Sequence, residues 1–363
     1  MNIAQISARA LPFMGGTETH VDEVSARLAE RGHQVTVITT DPSNELPKNE
    51  VRRGFGVRRR RAWPRNRDWY FSPGLFFEIA RGKFDIVHVQ GVHTLAAPAA
   101  MLAAKFSKTP FVLTFHTGGH SDRSSKLRNL QWHLLAPLLR QAAKLIAVCN
   151  YEKKLFGEAV GVDEDRVVLA RNGAEMPKPS GVRPDLPPNA SPVISSIARL
   201  EEYKGHHRVI NAMPEILKRH PDAVLVIIGK GPYESELAAM VKRLGLEKHV
   251  MFRCFGPSER PQMADMVAAS DVVTLLSEYE AHPIAITEAL SLGRPVVVAR
   301  TSGLTELADE GLVTGVELDA SAHEIADAID HTIGVKPPVI TIPTWDDCVD
   351  TLELAYKEAA VKA

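Results

Sequence analysis

One order of elements occurs twice in this chain, and it leaves few folds open. "MNIAQIS" reads as a strand, "ARALPFMGGTE" as a loop, "THVDEVSARLAERGH" as a helix with one apolar face and "QVTVITT" as a strand. Further on, "SPVISSIA", "RLEEYKG", "HHRVINAMPEILKRHP" and "AVLVIIG" repeat strand, loop, helix and strand. Strands alternating with helices require parallel sheets covered on both faces, so each half is expected to be a Rossmann-like α/β domain. With 363 residues the chain exceeds the size at which one core stops growing, which also points to two domains.

Further strands fill both sheets. "GVRRRRAW", "FDIVHVQG", "PFVLTFHTGG" and "KLIAVC" belong to the first, and "VVLARNGAE" closes it with an Asn-Gly turn at Asn172 and Gly173. "VMFRCFGPS", the helix "RPQMADMVAAS" and the strand "DVVTLL" belong to the second. Between the halves, Pro177, Pro179, Pro184, Pro187, Pro188 and Pro192 fall in a segment without apolar periodicity, which reads as a semi-rigid linker. The expected division is therefore a first domain over 1–176, a linker over 177–192 and a second domain over 193–343. The tail, about 344–363, is a helix whose apolar face includes Trp345, Val349, Leu352 and Tyr356, and it suits packing on either domain.

Bulk properties exclude several classes. A formal net charge of -1 gives no global attraction to nucleic acid or membrane. Cys149, Cys254 and Cys348 are far apart with no metal-ligand spacing, so neither a disulfide framework nor a zinc site is expected, and a reducing cytoplasm fits. The N-terminus lacks a basic region followed by an apolar block, and no apolar run approaches ~18 residues, so export and membrane spanning are not expected.

Against that background, two carboxylates stand out in "LLSEYEAHPIAITEALSLGRPVVV". Pro283 lacks an N–H and clashes with a preceding helical turn, so a helix is expected to begin at about Pro283. Glu280 then lies on a loop at the carboxyl end of a strand, and Glu288 lies one turn inside the helix that Gly293 terminates. In open parallel sheets the carboxyl end is where ligands bind, and the crevice between two such ends is the default site. A surface acid followed by a solvent-facing helix acid is the competing reading.

Other loops carry compatible chemistry. Gly15 and Gly16 lie between the first strand and its helix, where unpaired N–H groups attract phosphate and missing side chains permit close approach; a plain turn is the alternative. Arg199 and Lys204, beside Gly205, suit a diphosphate that gains negative charge as it leaves, or else form a solvated basic edge. His116, before Thr117, Gly118 and Gly119, is suited to donate to a sugar hydroxyl or developing charge, unless it is purely structural. Gly229 and Gly231 in "IIGKGP" let backbone approach a flat ligand such as a nucleobase, and the amides of "TSGLTE" near Gly303 and Leu304 offer a weak anion site. Cations, glycine nests and carboxylates together describe a nucleotide-sugar site. The missing GxGxxG fingerprint argues against a dinucleotide dehydrogenase.

The motifs "GGTETHV", "RGHQVTVIT", "FDIVHVQG", "TFHTGG", "ARNGAE", "ARLEEYKG", "VIIGKGP" and E-x7-E at Glu280 and Glu288 run the length of the chain. In this order they resemble the retaining glycosyltransferases of family 4, two-domain enzymes of the GT-B fold. The resemblance implies that Gly16 approaches the donor diphosphate from the first domain while Arg199 and Lys204 bind it from the second. It implies that Glu288 holds the ribose hydroxyls, that Glu280 holds those of the transferred sugar and that His116 contacts the sugar near the reacting carbon. It places the Gly303 and Leu304 amides at the diphosphate or sugar, and sends the last helix back to the first domain. Where many members read E-G-F-[GP], this chain reads Glu280-Ala281-His282-Pro283, with Ile284 following. Backbone amides there can still face the sugar, while His282 adds a group without an assigned role.

The implied donor is a UDP- or GDP-linked hexose and the acceptor a hydroxyl of a glycan, glycolipid or small metabolite. No metal or other cofactor is implied, because cations stabilise the leaving diphosphate. Two acids that bind hydroxyls also differ from the acid/base pair of a glycoside hydrolase. A non-catalytic nucleotide-sugar-binding protein is the alternative. Finally, Arg52, Arg53, Arg58, Arg59, Arg60, Arg61, Arg65 and Arg67, near Trp63, Trp69 and Tyr70, form a basic aromatic stretch suited to anionic lipid at the inner membrane face. Lys126–Leu139, with Trp132, Leu135, Arg128 and His133, is a second candidate. A charged sheet edge is the competing explanation of the arginines, and no nucleic acid is expected.

Overall fold

The protein is described from a computed structural model, in which residues 1–13, 15–64, 69–117, 134–338 and 341–361 are placed. The chain divides into two compact units, one built from the first half together with Pro343–Ala363, the other from Ala174–Ile342.

The first unit starts with β1 (Asn2–Ser7), α1 (Gly16–Glu30), β2 (Gln34–Asp41), β3 (Asn49–Arg52) and β4 (Phe55–Arg61). It continues with α2 (Pro73–Arg81), β5 (Ile86–Gln90), α3 (Ala96–Phe106) and β6 (Phe111–Thr114), then β7 (Lys144–Ala147), α4 (Asn150–Val160) and β8 (Val167–Leu169). Its eight strands lie in the order β3-β4-β2-β1-β5-β6-β7-β8, and only the β3–β4 edge pair is antiparallel. Isoleucine- and valine-rich strands such as "IVHVQ" are buried along their whole length, as helices on both faces require.

The second unit contains β9 (Val193–Ile197), α5 (His206–Arg219), β10 (Val224–Ile228), α6 (Glu234–Arg243), β11 (Val250–Arg253) and α7 (Arg260–Ala268). There follow β12 (Val272–Leu275), α8 (Ile284–Ser291), β13 (Val296–Ala299), α9 (Ser302–Asp309), β14 (Thr314–Val316) and α10 (Ala322–Thr332). The sheet is wholly parallel, in the order β11-β10-β9-β12-β13-β14. The strand order therefore reverses between β9 and β12 here, and between β1 and β5 in the first unit. Loops diverge to opposite faces at such a reversal, leaving a ligand-sized opening at the carboxyl ends.

The last helix, α11 (Trp345–Val361), belongs to the first unit. Trp345, Val349, Leu352 and Tyr356 are all buried, each contributing roughly 1.5–3 kcal/mol of apolar burial. Arg31, at the end of α1, bonds Asp346 at 2.8 Å and Asp350 at 2.5 Å, and His33 meets Glu353 at 2.9 Å. These charges choose the partner that amphipathicity alone left open.

Three local expectations change. Asn172 and Gly173 do not form a turn: a Cβ on Gly173 would lie 2.2 Å from the Trp345 amide nitrogen, so the glycine permits the chain to pass the start of α11. The Asn172 side chain bonds His20 Nδ1 at 2.9 Å instead. The proline-rich segment has no regular structure, yet it lies on the second unit: Ser180 Oγ and the Gly181 amide donate to Asp265 at 2.6 and 3.1 Å. Its Met176, Leu186 and Ala190 pack against that unit's core.

The arginine-rich stretch forms β3, β4 and their turn, and most of its charge is matched within the unit. Arg52 and Arg53 pair with Asp22, Arg53 also with Glu23, and Arg58 and Arg60 share Glu78. Arg59 is buried against Glu50 and the carbonyls of Leu11 and Pro47. Arg65 and Arg67 lie outside the described residues, as do Lys126, Arg128, Trp132 and His133 of the second basic segment.

Candidate functional site

In the first unit, α1 begins at Gly16, earlier than the sequence suggests, and Gly15 is its N-cap. A Cβ on Gly15 would meet the Glu18 carboxylate at 2.4 Å, whereas one on Gly16 would meet nothing within 4 Å. Gly16 thus fronts open space at the end of β1, beside the strand-order reversal.

His116 follows β6 with φ 56°, a left-handed conformation uncommon for a residue with a side chain and a frequent mark of functional positions. Its Nε2 lies 2.6 Å from Gln90 Oε1 at the end of β5. From there a polar network runs inward: Gln90 Nε2 donates to Gln5 Oε1 at 2.8 Å, and Gln5 Nε2 donates to the Tyr356 hydroxyl at 3.0 Å. The hydroxyl lies 2.6 Å from His88 Nδ1, and His88 Nε2 lies 2.7 Å from Thr114 Oγ1. His20 of α1 packs edge-on against His116 with ring centroids 4.5 Å apart. Burial pushes His20 down to about 4, opposed by the Asn172 hydrogen bond. Burial, reinforced by neighbouring histidines, also holds His116 and His88 well below the ordinary histidine range. This is a neutral cluster, and Gln5, His20, Gln90 and Tyr356 had no visible signal of a site role in the sequence. Gly118 and Gly119 lie outside the described residues.

In the second unit the charged groups converge at the β9–β12 reversal. Lys204, after β9, donates through Nζ to Glu280 Oε1 at 2.6 Å, and Ser277 Oγ donates to the same oxygen at 2.8 Å. Gly205 makes this possible: it takes φ 76°, and a Cβ there would lie 1.9 Å from the Leu276 carbonyl, so only glycine lets the two loops touch. Tyr203 and Tyr279 stack across the same loops, 4.6 Å between centroids and 2° from parallel. Arg199 donates to Glu201 and to the Tyr203 hydroxyl, the latter at 2.8 Å, so its guanidinium is oriented before any ligand arrives.

Pro283 is the N-cap of α8, as its chemistry dictates, and Gly293 takes φ 66° beyond the helix end. Glu280 therefore sits on the loop and Glu288 within the helix. Glu288 is buried at 4% exposure, and Arg260, at the start of α7, donates to its Oε1 at 2.5 Å and to the Glu175 carbonyl at 2.9 Å. Arg260, Ser277, Tyr203 and Tyr279 are further polar partners that the linear reading did not single out; only folding brings them to the acids. His282 is buried, Ala281 is partly exposed, and the Ala281 and Ile284 amides donate to no acceptor among the described residues.

Two sets of candidate residues have roles internal to the unit. The Gly303 amide donates to the Glu280 carbonyl at 3.0 Å and so fastens the acid-bearing loop, while that of Leu304 donates to the Thr301 carbonyl at 2.9 Å within the first turn of its own helix. A Cβ on Gly229 or Gly231 would come within 1.9 Å of the Ala198 carbonyl or 2.2 Å of the Leu200 carbonyl. Their close approach is to this unit's own backbone.

The model of Glycosyltransferase Family 4 matches residues 14–176 and that of Glycosyl transferases group 1 matches 182–334. The chain belongs to the family-4 glycosyltransferases. This glycosyltransferase is 26% identical to a human phosphatidylinositol N-acetylglucosaminyltransferase polypeptide, over 100% of its own length and 77% of that protein. It is 27% identical to a phosphatidyl-myo-inositol mannosyltransferase of Mycobacterium tuberculosis, covering 93% and 84% of the two chains. In fold it is similar to sucrose-phosphate synthase from Thermosynechococcus elongatus (TM-score 0.73, 17% identity, 99% and 96% covered). It is also similar to Anabaena HepE in complex with UDP and glucose (TM-score 0.69, 20% identity, 100% and 96% covered). These neighbours have the GT-B architecture of two Rossmann-like domains, which is the fold of this enzyme.

Proposed function

We propose that this glycosyltransferase moves a hexose-type unit from a UDP- or GDP-linked donor to a hydroxyl acceptor with retention of configuration. The observation that carries the reading is the pair of acids in separate settings: Glu280 on the β12 loop beside Lys204, and Glu288 in α8 beside Arg260. A carboxylate held in place by a cation is a strong acceptor for sugar hydroxyls. In this reading Glu288 takes the ribose hydroxyls, Glu280 those of the transferred sugar, and Lys204 and Arg199 meet the leaving diphosphate without a metal ion. Gly16 leaves room for the diphosphate, and His116 contacts the sugar. Support for the donor class comes from HepE with UDP and glucose, and for a lipid-linked acceptor from the two relatives named for phosphatidylinositol.

A thermal-shift screen with UDP-, GDP-, ADP- and dTDP-sugars tests the donor, because a ligand of the native state raises its stability. The expected result is stabilisation by a UDP- or GDP-sugar and release of the nucleotide when an acceptor is added, undiminished by EDTA. Binding without turnover against a broad acceptor panel would favour a nucleotide-sugar-binding protein.

We also propose that the first unit works at an anionic membrane on the cytoplasmic side. No described helix is long and apolar enough to cross a membrane, while Trp63, Trp69, Phe71 and Phe77 are exposed, with Arg61 and Arg81 lying over the rings of Trp63 and Phe77. Such aromatic–cation pairs suit the head-group layer. Failure to co-sediment with phosphatidylserine vesicles at low salt would refute this.

A further inference from the structure

The network behind His116 has two self-consistent proton arrangements when only distances are considered, because turning both glutamine amides reverses every donor. One contact separates them. The Gln90 amide nitrogen lies 3.3 Å from both ring nitrogens of His88. A point equally close to both nitrogens at that distance lies over the face of the imidazole, since in the plane it would overlap the carbon between them. An N–H directed at a ring face is attracted to the π cloud, whereas a carbonyl oxygen there is repelled.

The nitrogen therefore faces His88 and Gln5, and Gln90 Oε1 faces His116. An amide oxygen can only accept, so His116 Nε2 carries the proton. The remaining links agree: Gln90 donates to Gln5, Gln5 to Tyr356, Tyr356 to His88 Nδ1 and His88 Nε2–H to Thr114.

We infer that Gln90 is a positioning residue that holds His116 as the Nε2–H tautomer, so that Nδ1 presents a lone pair and accepts a hydrogen bond from a substrate hydroxyl. This rests on the proposed contact between His116 and the sugar, and it reverses the donor role the sequence suggested for this histidine. No described residue is bonded to Nδ1. The titratable groups facing the ring are His20 of α1, His88 of β5 and His93 of the following loop. Burial disfavours the cations of His20 and His88, so neither adds a fixed charge beside His116 at neutral pH.

The test reads the tautomer directly in the ligand-free protein, by long-range proton–nitrogen correlation of histidine-labelled material, with His116 assigned through His116→Asn. The expected wild-type spectrum has Nε2 protonated and Nδ1 bare. Gln90→Leu should shift His116 toward the Nδ1–H form, while Gln90→Glu, which keeps shape and an acceptor oxygen, should keep Nε2–H and raise the pH at which His116 takes its second proton. A wild type carrying Nδ1–H overturns the inference, as does a Gln90→Glu protein whose His116 titrates like wild type. With UDP-glucose as probe donor, Gln90→Leu should lower kcat on the order of ten- to a hundredfold with little change in KM; unchanged kcat in a folded Gln90→Leu enzyme whose tautomer has shifted refutes the positioning role. Absence of wild-type turnover with UDP- and GDP-sugars bears on the functional reading alone, because the tautomer is measured without them.

Discussion

The two units place their candidate residues at the same topological point, the strand-order reversal at the carboxyl edge of the sheet, and fill it with opposite chemistry. In the first, His20, His88, His116, Gln5, Gln90 and Tyr356 form a buried network without a charged member at neutral pH. In the second, Lys204–Glu280 and Arg260–Glu288 are ion pairs with one flank toward solvent. The doubly wound sheet supplies the location, and the loops supply the charge. A neutral network keeps fixed hydrogen-bond directions because ionising any member in a dry interior is costly, whereas a part-buried ion pair keeps two opposite charges in place, each held by the other.

The largest effect should come from the charged site. If Glu288 accepts from two hydroxyls as proposed, Glu288→Ala is expected to lower transfer about a hundredfold, at about 1–3 kcal/mol per charged hydrogen bond, while the melting temperature changes little. Near-normal turnover in steady-state assays would remove Glu288 from the site. Arg260→Ala should cost more stability than Glu288→Ala, roughly 2 kcal/mol by urea unfolding, because it leaves a buried carboxylate without its cation. The opposite ranking would mean that Arg260 is incidental.

The neutral network should instead reveal itself in pH. An unfolded histidine gains its proton near pH 6.5, but His20 in the fold does so only at about 4. Between those values the unfolded chain binds protons that the folded chain refuses, so stability falls as pH drops through 6.5 and keeps falling toward 4. For His20 alone the loss over that window is about 3 kcal/mol. Urea titrations at pH 7 and pH 5 should already show about 2 kcal/mol of it, and His20→Asn should flatten the slope; an unchanged slope would contradict a neutral buried His20. Tyr356→Phe removes a hydroxyl that both accepts and donates in the dry interior and should cost about 1–2 kcal/mol without altering donor affinity. The smallest effect is that of salt. Between 50 and 500 mM, donor affinity is expected to weaken severalfold if Lys204 and Arg199 attract a diphosphate as proposed, because that attraction is screened, while the His116 tautomer signal stays constant.

Much of this was legible along the chain. The two α/β repeats, the helix start at Pro283, its end at Gly293 and the apolar face of α11 depend on local periodicity and on the missing proline N–H, which act within a few residues. The partners of the site residues were not legible. Arg260 lies far from Glu288 in sequence, Tyr356 lies at the opposite end of the chain from Gln5, and no spacing rule couples them. The pairing of the arginine stretch was hidden for the same reason, since Glu78, Glu50, Asp22 and Glu23 meet it only after β3 and β4 have paired.

The sequence by itself determined that this chain would form two parallel-sheet domains and that Glu280 and Glu288 would stand in different backbone settings, because short-range sterics and hydrophobic period decide both. Tertiary structure alone decided which cation holds each acid and which nitrogen of His116 carries the proton. Those outcomes depend on through-space distances of about 3 Å between side chains distant in sequence, and only the packed fold sets such distances.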